Sequence, residues 1–269
     1  MITSKSMQVT EHKNVLVVKL GGSVLSKLSA PFYQSIRELQ RSYHVIIVHG
    51  GGPDITATLG MLGIQSTFIN GQRKTTEDVF AIVEQVLKGK VNSELVHRLN
   101  LEGVNAIGLS GCDAQLFKAS FIDEDSLGLV GKIEEVNLTL MHNLLSLNYL
   151  PVIAPIAAIA GGNRVNINAD LAASAVAKAL NAEKLVFVTD VPGILKDGEL
   201  VSRVTMEVVD QYIDSGVIYG GMIPKVQAAL SALNENIHEV MIVGCQDSII
   251  QDGKMIGTQI TDGKEVQAI

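Results

Sequence analysis

The stretch "VLVVKLGGSVL", Val15–Leu25, decides how the rest of the chain is read. From Val15 to Leu20 it is a near-continuous aliphatic run, the pattern of a strand buried on both faces. Lys19 interrupts it, and a lone buried ammonium costs several kcal/mol. Either the side chain reaches water from the strand's end or an anion comes to meet it. Gly21 and Gly22 follow at once, so the chain turns beside the cation.

Working outward, runs of the same kind recur: "HVIIVH" (44–49), "VNAIGL" (104–109), "LPVIAP" (150–155), "LVFVTD" (185–190) and "EVMIVG" (239–244). Helical segments separate them, including "PFYQSIRELQRSY" (31–43), the long 75–103 stretch and "NADLAASAVAKALNA" (168–182). Aliphatic strands alternating with amphipathic helices imply parallel strands covered on both faces. The expected fold is α/β, an open three-layer α/β/α sandwich around a mainly parallel sheet. A soft boundary near Leu180 divides it into lobes 1–180 and 181–269, without a Pro/Ser linker or an internal repeat. The tail "DGKMIGTQITDGKE" (252–265) predicts a closing antiparallel strand pair. In such sheets ligands sit beyond the carboxyl ends of the strands. The Lys19–Gly22, His49–Gly52 and Asp190–Gly193 segments each follow a predicted strand, so they share one edge.

The 269 residues, 47% hydrophobic and 18% charged, describe a globular chain rather than a disordered one. A formal net charge of -7 argues against a nucleic-acid or anionic-membrane surface. Cys112 and Cys245 match no zinc or redox spacing, which points to a reduced compartment. The first residues lack the apolar segment of a secretion signal, and the longest apolar run, Leu150–Ala160, is broken by Pro151 and Pro155. The expected location is the cytoplasm.

Familiar signatures fall away on inspection. Each Gly-Lys pair is followed by Val, Ile, Met or Glu, so there is no Walker-type phosphate loop. No GxGxxG follows a strand. "HGGG" (49–52) occurs in hydrolase oxyanion holes, but the nearest nucleophile motif, "GLSGC" (108–112), ends in Cys112, and no ordered Asp and His partners stand out. The histidines have no paired metal spacing, so no protein-held metal is expected. What remains is a set of cations and uncovered amides with little acid–base machinery. Phosphoryl transfer needs that set, because its catalysis is largely positioning plus electrostatic stabilisation. A carboxylate acceptor is already ionised at neutral pH and requires no general base.

The ordered set "VVKLGGSVL", "IVHGGGPDI", "NGQRKT", "VNINADLAASAVA", "VFVTDVPGIL" and "GGMIPKV" resembles the amino acid kinase family, from Val15 to the C-terminal strands. "NGQRKT" with "VNINAD" is similar to the members that phosphorylate N-acetyl-L-glutamate in arginine biosynthesis. The resemblance implies ATP as co-substrate, with Mg2+ bound through its phosphates. It implies that Lys19 and Lys225 flank the moving phosphoryl group and that Asp170 holds both. It implies substrate contacts from Gly51, Gly52, Arg73 and Asn166, and nucleotide contacts from Gly21, Gly22, Asp190, Gly193 and Met222.

Several of these residues also have an ordinary structural reading. Gly50–Gly52 can serve as a strand-to-helix turn, with Pro53 and Asp54 opening the helix. Asp170 sits among good helix-capping residues. Arg73 can be a solvated loop charge before a Thr75 or Thr76 cap, although its planar fork suits a carboxylate in a way Lys74 cannot copy. Lys225 lies near the start of a helix, a poor place for a cation unless an anion is present. Cys112 stands where similar kinases often carry lysine. Arginine-inhibited members have an extra N-terminal helix, and the polar leader here lacks that pattern. The expectation is therefore a homodimer not inhibited by arginine. Two alternatives stay open: a family kinase for aspartate, glutamate, protected aminoadipate or carbamate, and a non-catalytic amino-acid sensor.

Overall fold

The computed structural model describes residues 13–233, 237 and 239–263. The leader on which the arginine expectation rests lies outside those residues up to His12, as do Lys264 and Glu265 of the tail. An eight-stranded sheet runs, in spatial order, Arg203–Thr205, Thr258–Thr261, Glu239–Gly244, Lys184–Thr189, Asn14–Leu20, Tyr43–His49, Leu150–Ala154 and Ala106–Ser110. Every strand expected from an aliphatic run is in it, and those strands pair in parallel. Thr258–Thr261 runs antiparallel to Glu239–Gly244 and parallel to Arg203–Thr205.

Alternation along the Asn14–Leu20 strand builds the layers. Leu16, Val18 and Leu20 pack with Phe32, Ile36 and Leu99 on one face. Val17 packs with Ala173, Val176 and Val226 on the other. The first face is covered by the helices Ala30–Leu39, Gly52–Met61 and the Glu77–Leu101 segment, the second by Leu138–Ser146, Ala169–Ala179 and Met222–Ala232. The expected α/β/α sandwich is therefore the observed one. Helix starts are set by side-chain caps, with Ser29, Thr76 and Asn168 accepting from backbone N–H groups of the first turn. Among the described residues no helix is long and apolar enough to cross a membrane.

Three features depart from the simple reading. The 75–103 stretch is not one regular helix, because a π-helical segment, Gln85–Asn92, joins its two α-helical parts. Phe117–Phe121, Val130–Val136, Ile156–Ile159 and Arg164–Ile167 close into a small barrel that carries Asn166. In the tail, Ile250–Gln251 and Lys254–Met255 form a hairpin around Asp252 and Gly253, whose φ values of 52° and 75° suit a tight two-residue turn. The Thr258–Thr261 strand then joins the main sheet rather than pairing within the tail.

Candidate active site

Lys19 is the penultimate residue of the Asn14–Leu20 strand, with its side chain on the face covered by the Ala169–Ala179 helix. Its Nζ lies 2.7 Å from Asp170 Oδ1, with the lysine side chain only 15% exposed. The contact is close but poorly aligned, so the buried Oδ1 has a charge partner and no directed hydrogen bond. Asn168 caps the same helix through Asp170 N and Leu171 N. Asp170 is thus free of capping duty and faces the cation.

The two glycine turns touch. A Cβ on Gly22 would lie 2.7 Å from Gly52 N and 2.9 Å from Gly51 N, closer than real side chains come to backbone. Only glycine lets the Lys19 turn approach the amides of the Gly50–Gly52 turn so closely. A Cβ on Gly52 would meet nothing within 4 Å, so that residue faces open space. Gly21 lies behind them, its own Cβ position 3.7 Å from Lys19 Nζ.

Arg73 completes the cavity. It is 7% exposed, and its guanidinium donates to Ser66 Oγ at 2.8 Å, Thr56 Oγ1 at 2.7 Å and Gly52 O at 3.2 Å. Phe68 covers it, with the ring centroid 4.6 Å from Cζ. Every one of these partners is neutral, and no described carboxylate pairs with it. Burial accordingly pushes its pKa below the usual arginine value. A buried cation compensated only by dipoles is matched to an anion from outside. Lys19, Gly22, Gly51, Gly52, Arg73, Asn166 and Asp170 all line one cavity of about 330 Å3. Asn166 Nδ2 donates to Thr75 Oγ1 at 3.3 Å.

Lys225 is not in that cavity. With Asp190, Gly193 and Met222 it lines a second one, of about 700 Å3. The arrangement in which Asp170 holds both lysines is therefore not the one observed. Lys225 Nζ donates to Asp190 Oδ1, and Lys27 Nζ stands 3.7 Å from Asp190 Oδ2. The physical reason is that the cation at the start of the Met222–Ala232 helix pairs with the carboxylate the fold brings within reach, Asp190. The hydrogen bond from Lys225 holds the Asp190 carboxyl below its ordinary range. Register keeps the cavities on one edge, because Lys19 pairs with Phe187 on the strand that leads into Asp190. Gly193 has φ 154°, and a Cβ there would strike Thr258 Oγ1 at 2.5 Å, so this glycine is also required by packing.

The sequence pattern of the Amino acid kinase family matches residues 14–244. The chain belongs to the amino acid kinase family. Acetylglutamate kinase of Geobacillus stearothermophilus is 50% identical over 246 residues, covering 91% of this chain and 95% of that protein. Acetylglutamate kinase of Geobacillus sp. (strain WCH70) is 48% identical over 246 residues, with 91% and 96% covered. A crystal structure from Streptococcus mutans UA159 superposes with a TM-score of 0.79 at 31% identity, covering 92% of this chain and 98% of that one. A Giardia carbamate kinase, at 16% identity and TM-score 0.65 over 93% and 99% of the chains, shares the fold.

Within this amino acid kinase, sequence reasoning did not single out Lys27, Ser66, Thr56 or Phe68. Lys27 lies in a short 3-10 helix with no charge pattern around it; Ser66 and Thr56 are ordinary loop and helix residues, and Phe68 sits in a two-residue strand paired with Gln72–Arg73, until the fold brings them to Arg73. Cys112 is half-buried, and burial pushes its thiol pKa up. Nothing in the structure explains why cysteine stands there.

Proposed function

We propose that this chain transfers the γ-phosphoryl group of ATP to the side-chain carboxylate of N-acetyl-L-glutamate, the acetylglutamate kinase reaction of arginine biosynthesis. The observation that carries this reading is the buried Arg73 fork, compensated only by neutral oxygens, in one cavity with Lys19 and the glycines Gly22, Gly51 and Gly52. Relatives named acetylglutamate kinase, near 50% identity over nine-tenths of the chain, support the same substrate.

In this reading Arg73 takes the α-carboxylate and Asn166 helps to orient the acyl substrate. A side-chain carboxylate oxygen attacks the γ-phosphorus in line, the bond to the bridging oxygen breaks, and ADP leaves with that electron pair. No proton has to move. Lys19 and the Gly22, Gly51 and Gly52 amides meet the charge that builds on the transferred group. Lys225 leaves Asp190 for the phosphates and reaches the group from the other side. The buried Asp170 Oδ1, which lacks a directed donor, can then hold the two ammonium groups together.

The first cavity is lined entirely by residues between 19 and 170 and the second by residues between 190 and 225. That supports an acyl-substrate lobe, 1–180, and a nucleotide lobe, 181–269, with Asp190, Gly193 and Met222 beside the nucleotide; dimerisation through the first lobe and nucleotide contacts from Gly21 and Gly22 come with the family reading. Mg2+ arrives on the ATP phosphates, where it neutralises charge and needs few protein oxygens. A cytoplasmic homodimer is the expected working form.

A coupled ADP-release assay over acylated and free amino acids and carbamate tests the reading. Turnover that requires both ATP and N-acetyl-L-glutamate is the expected result. Turnover on another acceptor reassigns the substrate, and silence on every acceptor with retained ligand binding favours a sensor.

A further inference from the structure

His49 ends the Tyr43–His49 strand and stands immediately before the Gly50–Gly52 turn, yet no step of the reaction uses it. It is wholly buried, and burial lowers its pKa from 6.5 to about 4, so the ring is neutral at working pH. Its neighbour is Asn92, the last residue of the π-helical segment, itself 5% exposed. Asn92 Nδ2 lies 2.8 Å from Val152 O, which can only accept, and this fixes the orientation of the amide. The other Nδ2 hydrogen points to His49 Nε2 at 3.0 Å, so Nε2 accepts and the ring proton resides on Nδ1. Nδ1–H then donates to the Gly50 carbonyl at 2.9 Å.

That last bond acts on the active site through peptide geometry. The Gly50 C=O and the Gly51 N–H belong to one planar trans peptide and point in opposite directions. Drawing the carbonyl toward His49 aims the Gly51 N–H away from it, and Gly51 lines the Arg73 cavity. A glycine peptide has little intrinsic preference to hold that plane. The surroundings make room for the pair: a Cβ on Gly108 would sit 2.1 Å from Asn92 Oδ1, so glycine at 108 is what admits Asn92. Leu87, from the same π-helical segment, lies where a Gly51 Cβ would be, at 2.6 Å. π-helical segments of this kind recur at functional sites.

We infer that the buried His49–Asn92 pair is a positioning device that locks the Gly50–Gly51 peptide with its N–H turned toward the transferred phosphoryl group. The inference rests on the phosphotransferase reading for the identity of that group. His49→Leu keeps bulk and removes the donor, whereas His49→Asn keeps an N–H close to the Nδ1 position. In steady-state assays, His49→Leu should lower kcat by roughly 10- to 100-fold, less than outright loss of a donor, with KM for ATP nearly unchanged. His49→Asn should recover most of that loss, which a purely space-filling role would not produce. In 15N-glycine-labelled protein, the Gly51 amide signal should shift and broaden in His49→Leu and return in His49→Asn.

Wild-type kcat and an unmoved Gly51 signal in His49→Leu overturn the inference, as do equal losses in the two variants. Should His49→Leu not fold, Asn92→Ala, which leaves the imidazole in place, is read in the same two ways. A wild-type protein that turns over no acceptor removes the functional reading alone, because the Gly51 signal still decides whether His49 sets the loop.

Discussion

Acidification measures how completely His49 is sequestered. Its ordinary pKa is 6.5, and burial lowers it to about 4 in the folded protein. Because the folded-state value is depressed, the unfolded chain binds the proton first as pH falls, and stability drops across that window. Above pH 7 the contribution is fully present. A separation of about 2.5 pKa units gives a loss of about 2 kcal/mol by pH 5 and about 3 kcal/mol by pH 4. That is a large share of the roughly 5–15 kcal/mol that holds a domain folded. Asp113 and Asp190, whose carboxyls are also held below their ordinary range, lose stability in the same direction. His49→Asn shares those carboxylates and lacks the imidazole, so the difference between the two proteins isolates the histidine. Urea melts of both, from pH 8 to pH 4, should give a difference that is flat above pH 7 and narrows by about 2 kcal/mol at pH 5. Parallel curves would mean that His49 accepts a proton in the folded protein, and the neutral tautomer argued for the Gly50 carbonyl would be refuted.

Three further predictions concern the cavities. Arg73→Lys, which can replace only one arm of the fork, should raise KM for the acyl substrate by roughly 10- to 100-fold, at about 1.5–3 kcal/mol per charged hydrogen bond, and leave KM for ATP alone; a change confined to ATP would exchange the roles of the two cavities. Lys19→Met and Lys225→Met should each cost about 10² to 10³ in kcat in single-turnover assays, and full turnover by either variant removes that lysine from the mechanism. Gly22→Ala should destabilise by about 1–3 kcal/mol, because its Cβ meets backbone nitrogens at 2.7 and 2.9 Å, while Gly52→Ala should melt like wild type. Equal melting temperatures for the two alanine variants would contradict the close approach of the turns.

The sheet was legible because its strands are buried on both faces and so write themselves as aliphatic runs. Val15–Leu20 and Leu185–Thr189 needed no tertiary information to be recognised, and the glycines after them marked the functional edge. The small barrel was not legible for the opposite reason. Val130–Val136 reads "VGKIEEV", with Lys132, Glu134 and Glu135 exposed, so its alternation is diluted by charge and it carries no aliphatic run. Asn166 could be named only by resemblance, and its position in the site depends on that barrel. The π-helical segment was equally hidden, since a single Gly89 in a helical pattern does not mark a widened turn, and the approach of Leu87 to Gly51 and of Asn92 to His49 exists only in the fold. The bond from Lys225 to Asp190 was not legible because sequence shows which charges exist, whereas the fold decides which are within reach. Asp190 follows the strand beside Lys19 and stands next to the Met222–Ala232 helix, and that proximity cannot be read from a spacing of 35 residues.

The distribution of charge explains why so acidic a chain can attract acidic substrates. The molecule carries a formal net charge of -7, yet the ionisable groups lining the first cavity are two cations, Lys19 and Arg73, against one carboxylate, Asp170. A local positive excess inside a low-dielectric recess outweighs distant surface acids that salt screens beyond about 8 to 10 Å. The two cations are prepared differently. Arg73 is held by neutral oxygens alone, so an incoming carboxylate gains nearly the whole of its charge. Lys19 is already matched by Asp170 at 2.7 Å, which tempers its pull on any resting anion. A fully uncompensated lysine at that point would bind ground-state carboxylate and phosphate tightly and gain little at the transition state. A lysine tempered in this way keeps its advantage for the moment when charge concentrates on the transferred group, and only such a difference between the two states accelerates a reaction. In the proposed mechanism the same logic applies to Lys225, whose bond to Asp190 is exchanged for phosphate. Asp190→Asn should therefore tighten nucleotide binding without a matching gain in kcat, and an Asp190→Asn enzyme improved equally in both would show that these carboxylates restrain nothing.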